Sequence, residues 1–222
     1  MRLAIWGKSP WSVTGVVRKR QSWETQNMRK SRVETAKTRA RIVKAAGAEF
    51  AANGISEAAL ARVMAAAGLT HGGFYRHFDS KDQLVLEACS KTVFSLIAGL
   101  ELLINGKPHQ QALGLLVARY VSRAHRDHPR TGCPVAALGS ELARRDTRTR
   151  NAAKEGFLQL ARLIANHLET VPSRKRAEMS MAIVSAMVGA IILARIAPDS
   201  RTSDSVLVAT RDYIIQSVRR QR

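Results

Sequence analysis

The 222-residue sequence predicts an all-α fold, and three observations predict it. Apolar residues recur at spacings of three and four from about Glu34 onward, with no run of strand-type alternation. Alanine, leucine, arginine and valine are abundant and aromatic residues make up 5%, a mixture that favours helices over sheet surfaces. Turn-forming residues separate the periodic stretches.

Ile42, Ala45, Ala46, Glu49 and Phe50 give the first helix one inward face, and Asn53-Gly54 ends it with a pair compatible with left-handed backbone. Ala59, Leu60, Val63 and Met64 form the apolar face of a short second helix, which stops at Ala67-Gly68-Leu69. A third starts at Thr70, a good N-cap, and runs through Phe74, Tyr75 and Phe78. Ser80-Lys81-Asp82-Gln83 has the form of a capping box and opens a long helix that reaches about Ile104. Five more helices are predicted over 109–127, 134–144, 148–169, 173–196 and 203–220.

Lysine and arginine total 36 against 17 acidic residues, a net charge of +19, which implies a polyanionic partner such as nucleic acid or an anionic membrane surface. Met179–Ala194 is the longest uncharged apolar stretch and is shorter than the ~20 residues a spanning helix needs, so no membrane partner is expected. Two cysteines, Cys89 and Cys133, make no disulfide framework and point to a reducing, cytoplasmic location. There is no Gly-rich phosphate loop, nucleophile elbow or zinc-protease motif, so no catalysis and no cofactor are expected. His125 and His128 read as a solvated helix end, and no metal is expected. Residues 1–33 hold all three tryptophans and eight basic residues, and are expected to be a disordered basic extension; an alternative start at Met28 would leave residues 1–27 as an upstream addition.

Residues 55–78, ISEAALARVMAAAGLTHGGFYRHF, form a helix-turn-helix: a short helix, a Gly-centred turn, and a second short helix bearing polar and basic groups. Val63, Leu69, Phe74 and Phe78 are placed to lock the two helices, leaving Thr70, His71, Gly72, Gly73, Tyr75, Arg76 and His77 facing outward. Adjacent glycines inside a helix cost about 1 kcal/mol each relative to alanine. Close approach of the backbone to DNA would offset that cost.

From about residue 37 to 84 the sequence resembles the DNA-binding domain of the tetracycline-repressor (TetR) family. The resemblance rests on Arg41-Ile42, Ala45-Ala46, Phe50, Gly54, Ala67-Gly68-Leu69-Thr70, Gly72, Phe74-Tyr75, His77-Phe78 and Ser80-Lys81. It implies a three-helix helix-turn-helix domain over 34–80 and a larger ligand-binding and dimerisation domain over 81–222. Residues 70–77 would enter the major groove, with Tyr75, His77 and Lys81 on phosphates. The sequence departs from many relatives at Ala58-Ala59, where a Thr or Ser opens the second helix; Ser56 is the candidate cap. Residues 34–79 carry six basic and four acidic side chains, so phosphate binding rests on few groups, Arg39, Arg76 and Lys81 among them.

The resemblance further implies a homodimer that binds a double-stranded DNA operator and is released by a small-molecule effector of unknown identity, with repression the expected outcome. Ala182, Ser185, Ala186, Gly189 and Ala190, with Val206, Leu207, Ala209, Tyr213, Ile214 and Val218, are candidates for a bundle between subunits, or for an ordinary core within one. Residues 131–146, TGCPVAALGSELARRD, resemble a stretch of regulators that sense electrophiles through cysteine. Cys133 precedes Pro134 at a helix start, a position that stabilises a thiolate, which makes it the candidate redox or electrophile sensor; packing alone would also explain it.

Overall fold

The computed structural model describes residues 13–221, with side chains from Arg32 onward apart from Glu57 and Ala58. The helices are α1 (Val13–Asn53), α2 (Glu57–Ala66), α3 (Lys81–Ile104), α4 (His109–Tyr120), α5 (Arg123–Asp127), α6 (Pro134–Leu142), α7 (Thr147–Ala165), α8 (Ser173–Ile196) and α9 (Ser200–Arg219). A 3₁₀ helix, His71–Arg76, lies between α2 and α3, and a shorter one, Pro129–Thr131, precedes α6. No strand occurs among the described residues.

The structure departs from the sequence reading in several places. α1 begins at Val13, upstream of Glu34, so the segment expected to be a disordered arm is helical from Val13; residues 1–12 lie outside the described residues. Residues 13–33 contain no proline and a single glycine, and their Arg, Lys, Gln and Glu are good helix formers. The single helix expected over 109–127 is two, because the Ser122 hydroxyl accepts from the His125 N–H at 3.1 Å and caps a new start. α8 runs for 24 residues and is apolar enough, by length and composition alone, to cross a membrane. Here Ile183, Val184, Met187, Ala190 and Ile191 are instead buried in the chain's own core.

Residues 41–222 pack as one compact unit and contain two hydrophobic cores. The larger joins Leu113, Leu116 and Tyr120 of α4 to Leu160 and Ile164 of α7, Met187 and Ile191 of α8, and Leu207 and Ile214 of α9. The smaller joins Ile42, Ala46 and Phe50 of α1, Leu60, Val63 and Met64 of α2, Phe74 and Phe78, and Leu84, Val85 and Ala88 of α3. Packing is therefore continuous across residue 80. It is continuous again through α6, whose Ala136 belongs to the larger core while Leu138 and Leu142 belong to the smaller.

A polar knot lies under the start of α6. The buried His125 imidazole has Nδ1 2.8 Å from the Tyr120 carbonyl, and its Nε2 accepts from the Cys133 N–H at 2.9 Å. An accepting Nε2 requires the neutral ring, with the proton on Nδ1 donated to Tyr120. Gly132 lets the ring approach: a Cβ there would lie 2.6 Å from His125 Cδ2. Arg195 of α8 donates to the carbonyls of His125 and Arg126 at 2.8 and 3.0 Å. Burial, and then the charges of Arg195 and Arg119, outweigh the Tyr120 hydrogen bond and lower the His125 pKa from 6.5 to about 4. A native pKa below the unfolded one means that the unfolded chain binds the proton first as pH falls. Stability should fall from about pH 6.5 toward pH 4, by on the order of 3 kcal/mol. Denaturant melts across that range check this, and the fall should be largely absent in His125→Gln.

Candidate nucleic-acid interface

The exposed surface of residues 67–81 depends on what is buried beneath it. Ser56 caps α2, its hydroxyl accepting from the Ala59 N–H at 3.1 Å, which supplies the start that Ala58-Ala59 lacks. α2 stops because Gly68 takes φ +72°, a left-handed conformation that side chains disfavour, and the chain reverses over Ala67–Thr70. Phe74, 1% exposed, then anchors the 3₁₀ helix in the smaller core, stacked on Phe78 with ring centroids 5.6 Å apart. Tyr75 stands edge-on to Phe74 and points the other way, 74% exposed.

Thr70, His71, Gly72, Tyr75 and Arg76 are exposed together on this segment, whereas Gly73 and His77 are half-buried. Thr70 occupies the N-cap position, yet its side chain makes no capping bond; the segment is 3₁₀ rather than the α-helix expected, a form suited to so short a piece with two glycines in its first turn. A Cβ built on Gly72 meets nothing within 4 Å, and one on Gly73 meets only Met64 Cε and Thr70 Oγ1 at 3.8 Å. The chain's own packing thus gives no reason for the glycines. Lys81, half-buried, is the first residue of α3. Ser80 caps that helix by accepting from the Gln83 N–H at 3.1 Å, and the Gln83 side chain accepts from the Asp79 N–H at 2.7 Å. Arg39 lies on α1 within a separate packing unit, residues 1–40.

The structure adds contacts that the sequence does not signal. The Glu141 carboxylate of α6 accepts from the Ile55 N–H at 2.8 Å, in the turn between α1 and α2. Arg145 reaches Asp82 of α3 at 3.0 Å and the Ile55 carbonyl at 3.4 Å. Arg130, from the 3₁₀ turn before α6, pairs with the buried Glu49 of α1 at 3.4 Å. Glu49 also accepts from Arg62 of α2, and from Asn53 at 2.8 Å. Burial would raise the Glu49 pKa, but bonds from Arg62 and Asn53, with the Arg62 and Arg130 charges, bring it below the ordinary carboxylate value. Residues 129–145 thereby grip the α1–α2 turn through charged groups.

Cys133 is the N-cap residue of α6 and is buried, with no side-chain capping bond. Its thiol lines a narrow apolar cavity of ≈ 10 Å³ together with Val93 and Ile97 of α3, Phe157 and Leu160 of α7, and Val184 of α8. Burial, and then the neighbouring Cys133, raise the Tyr120 pKa well above the ordinary tyrosine value. His125 and His128 do not converge: His128 Nδ1 lies 3.0 Å from the Ala124 carbonyl, while His125 is held in the knot.

Comparison with known proteins agrees with this architecture. The profile described as "Bacterial regulatory proteins, tetR family" matches residues 42–88. The profile described as "Transcriptional regulator LmrA/YxaF-like, C-terminal domain" matches residues 110–206. A TetR transcriptional regulator from Legionella pneumophila superposes with a TM-score of 0.68 at 19% identity, over 80% of this chain and 95% of that one. A TetR-family regulator from Agrobacterium tumefaciens gives 0.68 at 18%, over 82% and 98%. The reduced form of NemR from E. coli gives 0.64 at 17%, over 79% and 96%. No curated protein matches by sequence. The two profiles between them span more than half of the residues, and the solved structures share the fold from the helix-turn-helix through the C-terminal helices. The chain belongs to the TetR family of bacterial transcriptional regulators.

Proposed function

We propose that a homodimer of this chain acts as a cytoplasmic repressor, holding an inverted-repeat operator until a small molecule or an electrophile releases it. The observation that carries the reading is the exposed group Thr70, His71, Gly72, Tyr75 and Arg76 on a segment pinned from behind by Phe74 and Phe78. Two such segments would read major-groove half-sites about one helical turn apart, ~34–36 Å, or somewhat more. Open space around Gly72 supports close approach of the duplex there. Lys81→Ala and Tyr75→Phe should weaken binding to all sequences alike, because both are assigned to phosphates; His71→Ala should change which operators are preferred. Affinities across operator variants test these roles. A change of base preference in Lys81→Ala and none in His71→Ala would reverse them.

The second reading, a basic protein that binds nucleic acid without sequence preference, is favoured by the +19 charge alone. It requires a steep salt dependence and equal affinity for unrelated duplexes, which the same measurements would reveal.

Cys133 is the proposed electrophile sensor. It opens α6, and α6 carries Glu141, whose carboxylate holds the Ile55 N–H. An adduct on the thiol, or a ligand wedged into the adjoining cavity, would displace α6 and loosen the α1–α2 turn. A coupling of about 1–3 kcal/mol corresponds to a 5- to 150-fold loss of operator affinity. Cys89 is the internal control, since burial and then the Cys133 neighbour push its thiol up to about 12. Operator binding measured before and after quinone or hypochlorite treatment should fall in wild type and persist in Cys133→Ser. Equal release in both proteins, or release in neither, would make Cys133 a packing residue and leave a non-covalent ligand as the signal.

A further inference from the structure

On α4 and just beyond α7, two imidazoles meet. His109 is the first residue of α4, and His167 follows Asn166, the C-cap of α7. Their Nδ1 atoms lie 3.1 Å apart, with ring centroids at 5.0 Å and the planes tilted by 44°. On the far side of the first ring, His109 Nε2 lies 3.1 Å from the Glu169 carboxylate. A carboxylate there keeps the neutral ring's proton on Nε2, so His109 Nδ1 presents a lone pair toward His167. In the pair as it stands, one Nδ1 donates to the other, and the tautomers set which.

We propose that His109 and His167 form a two-imidazole chelate for a late first-row divalent cation such as Zn²⁺, with Glu169 as the residue that orients His109. Two nitrogens bound to one ion at about 2.0–2.1 Å each are about 2.9–3.4 Å apart for angles between ~90° and ~110°. The observed 3.1 Å falls inside that range. A carboxylate beside the second nitrogen of a ligating histidine is a usual arrangement, because it sets the tautomer and raises the basicity of the ligating nitrogen; Glu169 stands 3.1 Å from His109 Nε2. Binding requires both neutral rings to carry their proton on Nε2, so that both Nδ1 lone pairs converge on the ion. Among the described residues no group of three or more His, Cys, Asp or Glu side chains is placed around one ion, so water completes the coordination. The backbone ends that carry the pair are fixed from below: Ala112 and Leu113 of α4, and Leu168 beside His167, all sit in the larger core. The ion would therefore pin the start of α4 to the end of α7, and this holds whether or not the DNA-binding reading does.

The test is calorimetric titration of Zn²⁺ into the full-length, tag-free protein at pH 7.5, with thermal melts in parallel. Wild type should take up one ion per chain and melt at a higher temperature with Zn²⁺ present. His109→Gln and His167→Gln should each lose stoichiometric uptake and the thermal shift, and Glu169→Gln should weaken binding by about tenfold or more. His128→Gln should bind as wild type does. All four positions are outside the buried core, and melts without zinc verify that each variant folds. Unchanged stoichiometry and thermal shift in both His109→Gln and His167→Gln would overturn the proposal, as would the absence of uptake in wild type.

Discussion

Leu193→Glu combined with Ile196→Glu should leave a folded protein that is monomeric and has lost operator affinity by at least about a hundredfold. The two side chains are 56% and 70% exposed on α8, too much for apolar groups in a helix whose other face is already buried. With the exposed Ser185, the half-buried Gly189 and the exposed Ile192 they continue one stripe at spacings of three and four, and Val208 and Tyr213 expose apolar surface on α9. Several residues that the sequence offers for a bundle between subunits are buried inside the chain, Ala190, Leu207, Ile214 and Val218 among them, so the proposed partner face is this outer stripe. A dimer gains from holding its second half-site at high effective concentration, and a monomer forfeits that gain. Light scattering and operator titration read the two effects, with circular dichroism to verify folding. Truncation at residue 172 is a poorer test, since it removes Ile183, Met187 and Ile191 from the core itself. A double variant that remained dimeric with full affinity would move the interface elsewhere.

Phe74→Ala should destabilise the smaller core by about 3–5 kcal/mol and abolish specific DNA binding at ordinary temperatures. The ring is 1% exposed, stacks on Phe78, and carries Tyr75 edge-on at 5.0 Å. Its loss opens a cavity under a short 3₁₀ segment, whose ends are tied by Gly73 N–H to the Thr70 carbonyl at 3.0 Å and by His77 and Phe78 N–H to the Phe74 carbonyl at 2.9 and 3.1 Å. Phe74 is the segment's one buried side chain, so the outward set of Thr70, His71 and Tyr75 depends on that anchor. Chemical denaturation gives the stability loss and footprinting the binding loss. Near-native stability in the variant would show that the segment is held by something other than its aromatic core.

The parts of this molecule that are legible in the sequence are those whose signals are local. Ser56 and Ser80 cap their helices through bonds to residues three positions on, Gly68 sits where a left-handed turn is needed, and Phe74 and Phe78 keep the spacing that puts both rings inside. The α4–α5 break escapes because Val121-Ser122 carries neither proline nor glycine. The 3₁₀ form of 71–76 escapes because two glycines express no preference between tight and regular helix. The grip of α6 on the α1–α2 turn escapes for a deeper reason. Glu141 and Ile55 are 86 residues apart, as Arg130 and Glu49 are 81, and no periodicity connects a carboxylate with a partner that only the fold brings near. The His109–His167 pair, 58 residues apart, is hidden in the same way.

α6 contributes Ala136 to one core and Leu138 and Leu142 to the other within nine residues, with Glu141 bonded across to Ile55. A helix that short has no room to let go of one neighbour while keeping the other. Residues 41–222 should therefore melt in a single calorimetric transition, with van't Hoff and calorimetric enthalpies in agreement. Amide protons of α2 and of α8 should exchange with the same opening free energy. A regulator built this way has no separately folded reading head. Any signal that strains α6 is felt as a change in the stability of the whole unit, and an inducer should register as a shift in melting temperature even without DNA present.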